Sequence, residues 1–175
     1  MRQIHLVMST SISPLTAADA ASVARIQAVC YGPALIEGEA LYARRLASPA
    51  HCSLGVRDDD GSLVAYLAAY WSVPGAVTPL HGDFTVREDA DTLYLHDIAV
   101  LPARAGRGLA HALLDAVWSV AHARDVYWAA LVSVQETEMF WRRQGFKPAP
   151  SSAELDSYGA GALYMTCERV PGLRS

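Results

Sequence analysis

The chain has 175 residues, 52% hydrophobic and 18% charged, with fourteen basic against eighteen acidic side chains and a formal net charge of −4. One compact domain over 1–175 can bury roughly two-thirds or more of its unfolded surface at this length, and so apolar a composition excludes the disordered class. No apolar run approaches the ~20 residues of a membrane span, and the mild, evenly spread acidity argues against nucleic acid as a partner. Cys30, Cys52 and Cys167 are odd in number, widely spaced and without a C-x-x-C pair, so neither a disulfide framework nor a zinc site is expected. A reducing cytoplasm is the expected compartment. The first eight residues carry a single Arg, and Ser9-Thr10-Ser11 follows before any export-length apolar region, so no signal peptide is expected.

Part of Ile4 to Leu15 alternates weakly and reads as a first strand. Thr16 with Asp19 opens a helix in which Ala20, Val23, Ala24, Gln27 and Cys30 recur at helical spacing, and Gly32-Pro33 stops it. A second helix, about Glu37 to Leu46, ends at Ser48-Pro49. Cys52 to Arg57, the turn Asp58 to Gly61 and Ser62 to Trp71 form an antiparallel hairpin. Ser72 to Asp91 is rich in Pro, Gly and acid and reads as a long loop, a length that usually serves function.

Leu93 to Val100 is the next strand. Gly106 to Arg124 is the strongest helix, with Leu109, Leu113, Ala116, Val117 and Val120 on one stripe. A strand over Val126 to Val132, a helix over Gln135 to Gln144 stopped by Gly145, a short strand from Phe146 and a last strand over Gly161 to Arg169 complete the order. The result is a mixed α/β chain with one parallel crossover, through the long helix.

The strand, then Val100-Leu-Pro-Ala-Arg-Ala-Gly-Arg-Gly-Leu-Ala110, then an amphipathic helix, is the arrangement of an anion cradle. Gly106 and Gly108 let the backbone approach closely, and the unpaired N–H groups of the first helical turn point at the ligand. A pyrophosphate suits such a site, although Gly-x-Gly also occurs in plain strand-to-helix turns. Neither dinucleotide nor nucleoside triphosphate loop spacing is present.

These residues resemble a known family. Val100-x-Pro102 followed by Gly106-Arg-Gly108-Leu-Ala110 is similar to the acyl-CoA signature of the GNAT N-acetyltransferases, Arg/Gln-x-x-Gly-x-Gly/Ala, and Phe140-Trp-Arg-Arg-Gln-Gly-Phe146 is similar to the family's aromatic helix ending in Gly-Phe. The likeness runs from about Leu15 to Met165. It implies a mostly antiparallel twisted sheet with one parallel, splayed strand pair and about four flanking helices. It further implies acetyl-CoA as co-substrate, pantetheine against the backbone of Ile98, Ala99 and Val100, the pyrophosphate on Ala105, Gly106, Arg107, Gly108, Leu109 and Ala110, and Phe140 near the pantetheine arm.

Cys30-Tyr-Gly-Pro33 and Leu95-His-Asp-Ile-Ala-Val100 further resemble the arylalkylamine N-acetyltransferase branch, which acetylates small primary amines; Tyr31 and Pro33 would wall the acceptor site. Two departures stand out. Ala105 occupies the position where the family prefers Arg or Gln, with Arg104 as a neighbour whose side chain should leave in another direction. Trp141 stands where many members place a tyrosine that protonates the departing thiolate, and an indole N–H is no acid at physiological pH.

A protonated alkylamine of pKa near ~10 must lose a proton before it attacks a thioester, and an imidazole near ~6.5 suits that task. His96 is the candidate base, or else a satisfied core histidine. Strand alternation puts Tyr94, His96 and Ile98 on one face and Leu95, Asp97 and Ala99 on the other. Ser133 and Tyr158 are candidate proton donors to the thiolate. A covalent acyl-cysteine route is disfavoured because no cysteine lies near the motifs. His5, His51, His81, His111 and His122 lack metal-ligand spacing, so no metal is expected. Asp83, Glu88, Asp89 and Asp91 either attract a cationic amine or form a solvated loop face.

The leading expectation is an acetyl-CoA-dependent N-acetyltransferase acting on a small-molecule primary amine by direct attack in a ternary complex. The alternatives are a protein or peptide N-terminal acetyltransferase, which needs an open groove, and a catalytically idle acyl-CoA-binding module. Pairing of two copies into a homodimer through the last strands is compatible with the pattern.

Overall fold

The structure, a computed structural model, describes residues 10–134, 136–151 and 155–169. Its elements follow the expected order: β1 (Ser11–Pro14), α1 (Ala20–Cys30), α2 (Glu39–Ala47), β2 (Leu54–Arg57), β3 (Leu63–Ser72), β4 (Thr92–Val100), α3 (Leu109–His122), β5 (Trp128–Ser133), α4 (Glu138–Arg143), β6 (Lys147–Pro148) and β7 (Leu163–Glu168). Residues 4–9 of the expected first strand and Gln135, the expected start of α4, lie outside the described residues. Thr16 and Asp19 start the first helix as their spacing predicts: the Thr16 N–H donates to Asp19 Oδ2 at 2.9 Å, over a short 3-10 turn that leads into α1.

The seven strands form one sheet in the order β1-β2-β3-β4-β5-β7-β6. Every neighbouring pair is antiparallel except β4 with β5, which the α3 crossover makes parallel. All ten residues of β3 are buried because helices cover both faces of the sheet centre. On one face α3 and α4 pack over Leu67, Ala69, Leu93, Leu95 and Leu131. On the other, α1 and α2 pack over Tyr66, Tyr70, Tyr94 and Ala130. The buried stripe of α3 is Leu109, Leu113, Leu114, Val117, Trp118 and Ala121. Val120, expected in that stripe, is half turned to solvent, since the large Leu114 and Trp118 rotate the apolar face away from it.

Two irregularities of β4 position the site. Ala68 pairs with Asp97 while Ala69 pairs with Leu95, so His96 is an extra residue with no partner on β3. Pairing between β4 and β5 ends at Leu95 and Leu131, although both strands run on, so the two diverge.

Replacing the fully buried Leu113 by Ala should lower unfolding stability by about 2–5 kcal/mol in urea titrations, with the slope against denaturant unchanged.

Candidate functional site

The divergence of β4 and β5 opens a cleft of about 270 Å³, lined from β4 by Leu95–Ile98 and Val100, from β5 through α4 by Val132, Val134, Thr137, Phe140 and Trp141, and also by Ala110 and Tyr31. Ala110 is in the first turn of α3, where N–H groups have no intrahelical acceptor and the helix dipole is positive. Gly106 and Gly108 both have φ of 74°, which an L side chain adopts only with strain, and a Cβ on either would point into open space. The loop is therefore shaped for backbone approach by an outside group, with Arg107 exposed between the glycines. Arg104 does not substitute for the basic residue missing at Ala105. Its guanidinium is paired with Asp58 at the β2–β3 turn, with Nε 3.0 Å from Asp58 Oδ2.

The extra residue in β4 corrects the expected alternation. Asp97 and Ala99, not Ile98, share the α1–α2 face with Tyr94 and His96, while Ile98 and Val100 turn toward the α3 side. His96 consequently meets the cleft through its main chain, because its side chain is only 1% exposed. The ring lies behind the strand, where Nε2 is 2.8 Å from Glu37 Oε2. Glu37 in turn is clamped by Arg45, with two bonds of 2.7 Å between guanidinium and carboxylate. Burial would push the Glu37 carboxyl up, but the hydrogen bonds and charges of His96 and Arg45 hold it well below the usual carboxylate range. An ionised Glu37 only accepts, so Nε2 carries a proton in this contact. Its Nδ1 lies 3.5 Å from the Tyr158 hydroxyl, whose proton goes to the Thr78 carbonyl.

Asp97 occupies a second polar cluster. Its Oδ2 accepts from Gln27 at 2.9 Å, from Tyr42 at 2.9 Å and from Tyr66, and its Oδ1 accepts from Tyr31 at 2.5 Å. Gln27 joins the clusters, because its Oε1 accepts the Glu37 N–H at 3.1 Å.

The loop between β3 and β4 lies over His96. Arg45 donates to the Gly82 carbonyl through Nη2 (2.6 Å) and Nε (3.0 Å), the His81 N–H donates to Glu37 Oε1 (2.9 Å), and Phe84 stacks on Tyr70 (4.2 Å between centroids). Thr78 bonds the Tyr70 hydroxyl at 2.6 Å, and its carbonyl accepts from Tyr158. The acids of this loop face outward: Asp83 pairs with Arg44 at 3.0 Å and Asp89 with Arg87 at 3.2 Å, so the solvated-face reading fits them.

The chain matches the sequence pattern of the acetyltransferase (GNAT) family over residues 20–146, which is more than half its length. The chain belongs to the GNAT acetyltransferase family. Solved structures agree on the fold. The ribosomal-protein-S18-alanine N-acetyltransferase of Escherichia coli is 17% identical with a TM-score of 0.69, the match covering 95% of this chain and 100% of that one. The PaiA N-acetyltransferase of Thermoplasma acidophilum, in complex with coenzyme A, is 13% identical with a TM-score of 0.65 over 92% and 99%. A GNAT acetyltransferase of Brucella melitensis, in complex with acetyl-CoA, is 17% identical with a TM-score of 0.61 over 95% and 92%. No curated protein matches the chain.

Within this GNAT domain the expected site residues separate into groups. Ile98, Val100, Ala110, Phe140 and Tyr31 come together on the cleft, and Phe140 meets Trp141 edge to face at 5.0 Å. Ala105, Gly106, Arg107, Gly108 and Leu109 form the approach to α3, while Ala99 is buried beneath α1 and α2. Pro33 is exposed in a short 3-10 turn and does not line the cleft, because Gly32 carries the chain outward after Tyr31. Tyr94 is buried beside Tyr70, and its hydroxyl has no hydrogen-bond partner among the described residues. Ser133 is buried with its hydroxyl 3.1 Å from Thr137 Oγ1, which itself donates to the Val134 carbonyl. Cys30 lies nearer the site than the spacing suggests, its thiol donating to the Val100 carbonyl at 3.4 Å; burial and Asp97 push its pKa up, which leaves it a poor nucleophile.

Sequence reasoning missed Glu37, Arg45 and Asp97. One signal was available: Arg45 falls on the apolar face of α2 with Leu41, Tyr42 and Leu46, where a charge must have a buried partner. The depressed Glu37 pKa adds stability that is complete above the unfolded carboxylate pKa and is lost as pH falls below about 4.5. Glu37→Gln should therefore lower the thermal midpoint at neutral pH and flatten its decline in acid, as read by calorimetry between pH 3 and pH 7.

Proposed function

We propose that this chain, as a single domain in a reducing cytoplasm, moves the acetyl group of acetyl-CoA to the primary amine of a small molecule by direct attack in a ternary complex. Family membership and the complexes of similar proteins with coenzyme A or acetyl-CoA support the co-substrate. The glycine-shaped approach to α3 suits a pyrophosphate, and the gap between β4 and β5 suits a narrow amide-bearing arm that hydrogen-bonds to unpaired strand backbone. In this reading a backbone N–H near Ile98 polarises the thioester carbonyl.

The small-molecule acceptor rests on one observation: the β3–β4 loop is closed over the His96 face and held there by Glu37, Arg45 and Tyr158. A peptide acceptor needs that face open as a groove. His96 takes a proton from the incoming amine, with Glu37 holding the ring and stabilising the imidazolium, and Tyr94 and Tyr158 flanking it. The same closure means that the loop must open, or Tyr158 must relay, for the amine to reach Nδ1. The alternative of an idle acyl-CoA-binding module is favoured by Ala105 and Trp141, which lack the base and phenol of the family pattern.

Calorimetry with acetyl-CoA, followed by thiol-release assays over a panel of amines and peptides, separates these readings. Turnover with small amines supports the proposal; turnover of peptides alone, or tight binding without turnover, contradicts it. In the active enzyme, His96→Ala should lower kcat/KM by roughly 10² to 10⁴ near pH 7, and by less near pH 9.5, where the amine itself supplies more free base. A variant with an unchanged pH–rate profile removes His96 from the mechanism.

A further inference from the structure

Turning an alkylammonium into an amide removes two protons from nitrogen. One is released and the other ends on the sulfur of coenzyme A. His96 serves the first in the function proposed above, and nothing so far serves the second. Trp141 has only an indole N–H, Ser133 is committed to Thr137, and Tyr158 lies off the cleft with its hydroxyl donating to the Thr78 carbonyl.

Among the residues lining the cleft, Tyr31 carries the one phenol, and its hydroxyl meets the Asp97 carboxylate on the α1–α2 face. The Tyr31 hydroxyl is 2.5 Å from Asp97 Oδ1 and 2.7 Å from the Ile98 carbonyl. A phenol has one proton, so it cannot donate to both acceptors at once, and the hydroxyl is a point at which a proton can change hands. Gln27, Tyr42 and Tyr66 all lie on Oδ2, so Oδ1 keeps a lone pair not taken by Tyr31. No Arg or Lys is paired with Asp97 among the described residues.

We propose that Tyr31 protonates the departing thiolate and that Asp97 accepts the second proton of the amine and restores it to Tyr31. The inference rests on the acetyltransferase reading. As the carbon–sulfur bond breaks, its electron pair stays on sulfur and takes the proton of the Tyr31 O–H. Asp97, holding the proton from nitrogen, passes it to the phenolic oxygen, so both side chains finish as they began. The coupling matters because burial, the Asp97 charge and hydrogen bond, and then Cys30 and Glu37 all push the Tyr31 phenol well above its ordinary range. An isolated phenolate beside Asp97 would be costly, whereas the concerted exchange never forms one.

Two readouts on the folded enzyme test this. Tyr31→Phe keeps the ring and should lower kcat roughly 10²-fold with little change in the KM of the amine. In the complex with free coenzyme A, ultraviolet titration of the bound thiol should move up by about one to two pH units in Tyr31→Phe, because a hydrogen bond to the thiolate is lost while the Asp97 charge stays. Asp97→Asn should move it the other way, since a neighbouring negative charge is removed. A Tyr31→Phe enzyme that turns over like the parent, or an unmoved thiol titration, or shifts of one sign in both variants, overturns the proposal. If the parent enzyme acetylates no amine, the acetyltransferase reading fails by itself, and the thiol titration still decides the role of Tyr31.

Discussion

The offset of one residue between β3 and β4 underlies most of the site. With strict alternation Asp97 would face the apolar α3 side, and Gln27 of α1 and Tyr42 of α2 would lose the carboxylate they donate to. Because His96 is the extra residue, its ring and the Asp97 carboxylate both emerge on the α1–α2 face, and the His96 main chain is left to the cleft. Bulges commonly end pairing and re-aim side chains. Here the bulge lies immediately after the last β4–β5 pair, so that the backbone left unpaired is the backbone a cleft ligand can use.

Charge on that face is divided between two buried carboxylates with different support. Glu37 has a formal counterion, Arg45, and a histidine, and it also receives the His81 N–H of the overlying loop. Buried Arg–carboxylate pairs cost desolvation that good geometry only partly offsets, and their attested value lies in fixing one arrangement. At this site the arrangement fixed includes the histidine ring and the loop above it. Asp97 has hydroxyls and an amide instead of a cation, a set that stabilises its charge yet can also pass protons. Gln27 couples the two through opposite ends of its amide.

The element order, the hairpin turn, the long loop and the glycine approach to α3 were all legible, because each depends on local rules: periodicity, turn chemistry and helix-start signals. His96 stood out for its chemistry, an imidazole suited to take a proton from an amine, on the strand where the resembled branch carries histidine. Its orientation did not, since a bulge is decided by how two strands register and leaves no mark on either alone. Glu37 lies 59 positions from His96 and becomes its partner only when α2 packs against the sheet. Pro33 stays off the cleft because its nearness to Tyr31 in sequence ends at Gly32, where the chain turns to the surface.

The account stands on the gap after the bulge and the start of α3 acting together as one acyl-CoA site. Hydrogen–deuterium exchange with and without coenzyme A tests this most directly. Slower exchange in segments covering His96–Val100 and Gly106–Ala110, with little change at the β6 edge, is the predicted result. Binding that protects neither segment, or protects surface elsewhere, would contradict it.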